Sequence, residues 1–196
     1  MKFKDFKNFR DYDRKFVKVT NIDEKTKNAL KIDKLEEPIY GILYIDRECG
    51  TSLRITGNEL TKIEDTALIA RADCFEKMNF ELFDGNDFME EVLEQINEGY
   101  YDEQLNELLK DKLLDEFRNE VFPNDVIAIL PNEKQPEKMW VRLFMKTQEE
   151  NLYVAELLDD SFFDKKYTTG KKVALIYYTE DNFKGLIING LVKIQD

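Results

Sequence analysis

The alternation of apolar and polar positions changes period twice along the chain. Up to about residue 83 the apolar residues come in short runs of strand type. Residues 14–23 carry Phe16, Val17 and Val19 and close on a turn-like Asn21-Ile22-Asp23. Residues 38–46 (PIYGILYID) are rich in β-branched and aromatic side chains, the composition that suits a pleated, half-buried surface. Residues 52–56 (SLRIT) follow a Cys-Gly-Thr turn, and Gly57-Asn58 marks the next one. The run at 66–73 (TALIARAD) fits strand or helix. Residues 78–85 set Met78, Phe80 and Leu82 against Asn79, Glu81 and Phe83.

From Asp87 the period lengthens. Phe88, Met89, Val92, Leu93, Ile96 and Tyr100 recur at the spacing of an amphipathic helix. Asp87 with Glu90 resembles a capping box, and Gly99 offers a stop. A second helix is predicted from near Asp102. Its stripe is Leu105, Leu108, Leu109, Leu113 and Phe117, widened by Leu114 and Val121, and Pro123 ends it. After that the short period returns, in residues 124–131, 137–146, 151–158, 171–180 and 183–196. Short polar loops such as 147–150 (TQEE) imply antiparallel neighbours. The expected class is α+β: antiparallel sheets with a central pair of acidic amphipathic helices. The expected division is a β-rich N-terminal region over residues 1–83, a helical pair over 84–122 and a C-terminal antiparallel meander over 123–196. These form one compact domain or two closely packed subdomains.

The lone tryptophan lies in a predicted strand, PEKMWVRLFMK. Alternation places Met139, Val141, Leu143 and Met145 on an apolar face, and Trp140, Arg142, Phe144 and Lys146 on the other. The second face fits either a structural link, with Trp140 and Phe144 under the acidic helices and Arg142 bridging to a carboxylate or stacking on a ring, or an exposed recognition strip.

Charge sharpens this picture. The chain has 196 residues and a net charge of −12, so a phosphate-binding basic footprint is not expected, nor is an anionic membrane surface. Between Asp84 and Glu120 stand thirteen acidic residues and three basic ones, which accounts for ten of the twelve excess negative charges. Glu90, Glu94 and Glu98 form an i,i+4 row with Glu91 beside it, and no Lys or Arg falls between Asp87 and Glu98. Asp102 and Glu103 open the second helix, and Glu103, Glu107, Asp111 and Asp115 form its row. Like charges at that spacing cost a few tenths of a kcal/mol per pair. A solvated, solubilising face is one reading. The other is a surface matched to a basic partner, with Glu90, Glu91, Glu94, Glu98, Asp102, Glu103, Glu107 and Asp111 as its contacts.

Candidate chemistry is sparse. The chain has no histidine, which excludes the Ser-His-Asp triad, the Cys-His pair and His-containing zinc sites. Cys49, in RECGTS, lacks a histidine base, and two cysteines alone make no zinc site. Free thiols and the absence of an apolar leader fit a cytoplasmic location. No run of apolar residues is long enough for a membrane helix. TTGKK lacks the remaining residues of a phosphate loop, and LFDGNDFMEE has the wrong order for a calcium loop. No metal or cofactor is expected. Carboxylate pairs such as Asp159-Asp160 leave a hydrolase as an alternative, resting on abundance alone.

Residues 137–185, about a quarter of the chain, carry a further pattern. Glu137, Met139, Trp140 and Val141 open a strand. A polar hairpin leads to Leu157, Leu158, Asp159 and Asp160, and Gly170 and Lys171 turn into a strand with Val173. This resembles a small β-rich domain found in uncharacterised bacterial proteins and in immunity proteins of polymorphic or contact-dependent toxin systems. The resemblance implies a cytoplasmic, non-catalytic inhibitor that binds and neutralises a cognate toxin, and an acidic inhibitor would suit a basic toxin. A phage- or mobile-element-encoded inhibitor that mimics nucleic acid through its acidic helices is the alternative binding function.

Overall fold

The computed structural model describes residues 1–58, 62–63, 68–100, 103–180 and 183–193. The architecture is α+β, and the chain divides into two compact units, Met1–Tyr101 and Asp102–Asp196. The expected helical pair covers residues 84–122. The division falls inside it, and each helix packs on a sheet of its own unit.

In the first unit β1 (Lys15–Thr20), β2 (Ile39–Asp46), β3 (Gly50–Gly57), β4 (Ile69–Arg71) and β5 (Asn79–Leu82) form one sheet in the order β4-β3-β2-β1-β5. All four ladders are antiparallel. A short helix, α1 (Glu24–Ala29), is capped by Asp23, whose carboxylate accepts the Thr26 N–H. Its six residues carry no apolar period, so the hydropathy pattern does not announce it. The ambiguous run at 66–73 holds β4, while Thr66 and Ala67 lie outside the described residues.

The helix α2 (Asp87–Tyr100) covers one face of this sheet. Met89, Val92 and Ile96 are buried against Phe16, Ile42 and Tyr44. Val17, Val19 and Phe80 point the other way, where Phe3, Phe6, Tyr12, Phe75 and Phe80 form a cluster of edge-to-face and tilted rings with centroids 5.0–6.4 Å apart. With both faces covered, every residue of β3 is buried. Two details differ from expectation. Asn86, rather than Asp87, caps α2, its Oδ1 accepting the Met89 N–H at 3.1 Å. Gly99 does not stop the helix, which runs on to Tyr100.

The second unit starts with α3 (Glu103–Lys110), followed by a 3-10 turn over Lys112–Phe117. The single helix expected up to Pro123 is broken at Asp111, where the side chain accepts the Leu113 N–H (3.0 Å) and starts a new turn. Arg118 reinforces the break by donating to the carbonyls of Leu108 and Pro123. Five strands follow: β6 (Asp125–Leu130), β7 (Glu137–Lys146), β8 (Leu152–Leu157), β9 (Lys172–Glu180) and β10 (Phe183–Leu191). They close into a barrel in the order β10-β6-β7-β8-β9. The expected meander is therefore completed by a parallel pair, Ile187 with Ile129. An odd number of up-and-down strands brings the first and last together in the same direction.

The barrel interior is filled by alternate strand residues such as Val126, Met139, Val141, Leu143, Ala155 and Leu175, joined by Leu108, Leu114 and Phe117. The alternation in β7 holds only to Leu143. A bulge between Leu143 and Met145 shifts the register, so Met145 pairs with Val154 and Lys146 with Tyr153. An extra residue in one strand moves everything after it to the other face. Met145 is thus outside the interior cluster, and Lys146 shares a side with Tyr153, whose ring belongs to that cluster.

Candidate functional site

The α2 face is set by its own packing. Burial of Met89, Val92 and Ile96 turns Glu90, Glu91, Glu94 and Glu98 outward, and all four are exposed. Among the described residues none of these carboxylates takes part in an ion pair or hydrogen bond. Their i,i+4 neighbours are themselves acidic, at Cβ separations of about 5–6 Å. The last turn contains no basic residue, so Glu94 and Glu98 lie toward the negative end of the helix dipole without compensation.

The second predicted row fares differently. Glu103 and Glu107 are exposed on α3, while Asp102 lies outside the described residues. Asp111 is not a surface carboxylate. Its side chain is only 7% exposed and receives Lys146 Nζ at 2.8 Å, the Tyr153 hydroxyl at 2.8 Å and the Leu113 N–H at 3.0 Å. Burial pushes its carboxyl upward, but these donors outweigh burial and hold it below the ordinary range. Burial and the bond to Asp111 raise the Tyr153 phenol. Asp115, next in the expected row, pairs with Arg118. The row therefore reduces to Glu103 and Glu107, because the helix ends where Asp111 turns inward.

Of the residues that carry the resemblance, Met139, Val141, Leu157 and Val173 fill the barrel interior, while Glu137, Asp159 and Asp160 hold the loop between β8 and β9. Glu137 accepts the Ser161 hydroxyl (2.9 Å) and the N–H groups of Phe162 (2.8 Å) and Phe163 (3.1 Å). Burial raises its carboxyl, but the three donors together bring it below the usual value. Asp159 accepts the Trp140 N–H, and Asp160 accepts the N–H and hydroxyl of Thr169. The pair singled out for hydrolysis is thus engaged in folding this loop. Trp140 is half-buried, and Arg142 holds Asp125 with two bonds of 2.8 and 3.1 Å. That is the carboxylate bridge of the structural reading.

Both thiols are free. Burial and the nearby Asp46 raise the Cys49 thiol, and burial and Asp73 raise Cys74, the opposite of what activates a nucleophile. Among the described residues no group of three or more Cys, Asp or Glu is arranged to hold a metal ion, and no helix is long and apolar enough to cross a membrane. A cavity of about 320 Å³ lies at the N-terminal end of α2. No sequence motif points to it. The chain matches no known family model, no curated protein and no solved structure.

Proposed function

We propose that this chain is a non-catalytic binding protein that docks a basic partner on the α2 face, through Glu90, Glu91, Glu94 and Glu98. Glu103 and Glu107 of α3 are a second acidic contact. Asp111 is left out, because its carboxylate is engaged within its own unit. The observation that carries the reading is the set of four exposed like charges on one helix face with no ion-pair partner among the described residues. Such a face loses helix stability and gains electrostatic attraction for a positive surface. The class of function is immunity-type: stoichiometric neutralisation of a basic toxin domain in the cytoplasm. The resemblance over 137–185 supports that class, and the two free thiols are in the state a reducing compartment maintains.

The test begins with the partner recovered from the native host. Its affinity for the purified chain is measured at about 50 and about 200 mM salt, where screening differs substantially. Binding is expected to weaken at the higher salt, and to weaken at low salt when the four glutamates of α2 are changed to Gln. Salt-independent affinity, or full affinity in the Gln variant, would remove α2 as the docking face. Co-expression then asks whether the chain relieves the partner's toxicity. Without such relief the immunity role fails even if the docking face stands.

A further inference from the structure

We propose that the loop over residues 159–171 is a self-association surface, on which a second copy of this chain docks through Phe162. Phe162 is 77% exposed, and the Phe163 ring stands edge-on beside it, 5.1 Å away. The backbone beneath the two rings is fixed. Glu137 accepts the N–H groups of Phe162 and Phe163 and the Ser161 hydroxyl. The Ser161 Oγ accepts the Asp164 N–H, and the Ser161 N–H reaches the Tyr167 carbonyl. Asp160 accepts the N–H and hydroxyl of Thr169, and Tyr167 belongs to the packed barrel interior. Folding gains nothing from a ring left in water, since an apolar side chain stabilises by burial. A large ring on a rigid support is the form of a binding anchor, because the loop is ordered before a partner arrives.

Charge identifies the occupant. The chain carries −12, so two copies repel on most approaches. Residues 159–171 hold three aspartates (Asp159, Asp160, Asp164) and three lysines (Lys165, Lys166, Lys171), which balance. Asp159, Asp160 and all three lysines are exposed. A two-fold contact sets a patch against itself, so it calls for both signs around an apolar centre. This loop has that composition, and a face of one sign does not. The same balance disfavours an anionic membrane: a neutral loop adds no attraction, and the net charge opposes approach. One loop per copy falls short of the roughly 800 Å² per partner of a standard interface. The dimer is therefore weak, with a Kd on the order of 0.1 mM. Every residue of the contact lies in the second unit, and the inference does not rest on the α2 docking face.

Sedimentation velocity of the full chain is run from about 10 µM to about 1 mM, at about 50 and about 500 mM sodium chloride. The average mass is expected to rise toward that of a dimer with concentration. It should rise further at the higher salt, where screening removes repulsion between copies and leaves the apolar contact. That salt dependence is opposite in sign to the one expected for a basic partner on α2, so the two readings stand or fall separately. Phe162→Ser is expected to weaken the dimer more than tenfold, because the ring counts twice in a two-fold contact. The side chain is exposed, so this variant should keep the wild-type thermal midpoint. Phe162→Leu retains an apolar tip and should retain most of the association. A monomer at every concentration and both salts overturns the proposal, as does association that Phe162→Ser leaves unchanged. Phe162-dependent binding to mixed phosphatidylcholine and phosphatidylserine vesicles overturns it as well, by making the loop a membrane contact.

Discussion

Two surfaces of this chain use the same charged residue types in opposite ways. On the outside of the barrel, Asp125 of β6, Arg142 of β7, Glu156 of β8 and Lys172 of β9 stand in register across four strands. Signs alternate along that stripe. Arg142 grips Asp125, Lys172 bonds Glu156, and Lys172 also lies 4.3 Å above the Phe144 ring. On α2 the exposed carboxylates follow one another without a single cation. Cross-strand pairs of opposite charge stabilise a sheet, and like pairs on a helix weaken it. The barrel stripe thus answers to folding. The α2 face does not, and a demand from outside the fold explains it better.

That contrast can be broken from the paired side, where the largest losses are expected. Asp111→Ala removes the acceptor shared by Lys146, Tyr153 and Leu113, leaving a buried hydroxyl and a frayed turn. A cost of about 3 kcal/mol is expected from lost charged hydrogen bonds and a lost cap, read by urea denaturation. The pH dependence has a definite sign. The folded carboxyl lies below its ordinary value, so its contribution is complete above the unfolded pKa near 4 and lost as pH falls through the folded pKa. The stability curves of wild type and variant should therefore converge below about pH 4. Parallel curves down to about pH 2 would mean that Asp111 is not stabilised as its contacts imply. Arg142→Met leaves Asp125, itself buried, without the partner that bonds both its oxygens. About 2 kcal/mol is expected, below the cost of breaking a fully buried pair because Arg142 is partly exposed. Changing Asp125 to Asn in the same protein should recover some of that loss. No recovery would show that the pair is not coupled.

These two sites also show what hydropathy could and could not foresee. The strands β1, β2, β3 and β6 to β10 followed from apolar runs bounded by turn residues, and α2 followed from its i,i+3,i+4 stripe. The break at Asp111 did not, because its cause is a contact with Lys146 and Tyr153, 35 and 42 residues away. The stripe Leu105–Leu109–Leu113 looks continuous until that contact is known. Barrel closure was equally hidden, since β10 meets β6 across the whole C-terminal half. The bulge at Phe144 could not be read from PEKMWVRLFMK, and it decides which side Lys146 occupies. The α2 glutamates were legible, being a local matter of helix spacing. The rigid loop under Phe162 was not: Asp159 and Asp160 are ordinary acidic residues until Trp140 and Thr169 are placed beside them.

The cap of α2 gives a smaller effect and locates the helix start. Asn86→Ala should cost about 1 kcal/mol by removing the acceptor for the Met89 N–H, whereas Asp87→Ala should cost less. The reverse order, measured by thermal denaturation, would return the cap to Asp87.

The smallest effect is expected on the unpaired face, and its sign is what matters. Changing Glu94 to Lys places a cation between Glu90 and Glu98, turning two repulsive i,i+4 pairs into attractive ones. Glu98→Lys instead puts positive charge in the last turn, toward the negative end of the dipole. Each should raise stability by about 0.5 kcal/mol, with the gain shrinking as salt is added. Most surface substitutions are neutral or harmful, so a gain at both positions would show that folding is not what the acidic row serves. The same two variants should bind a basic partner less tightly than wild type. Stability gained together with affinity lost identifies α2 as a working surface. Stability gained with affinity unchanged leaves its charge to solubility alone.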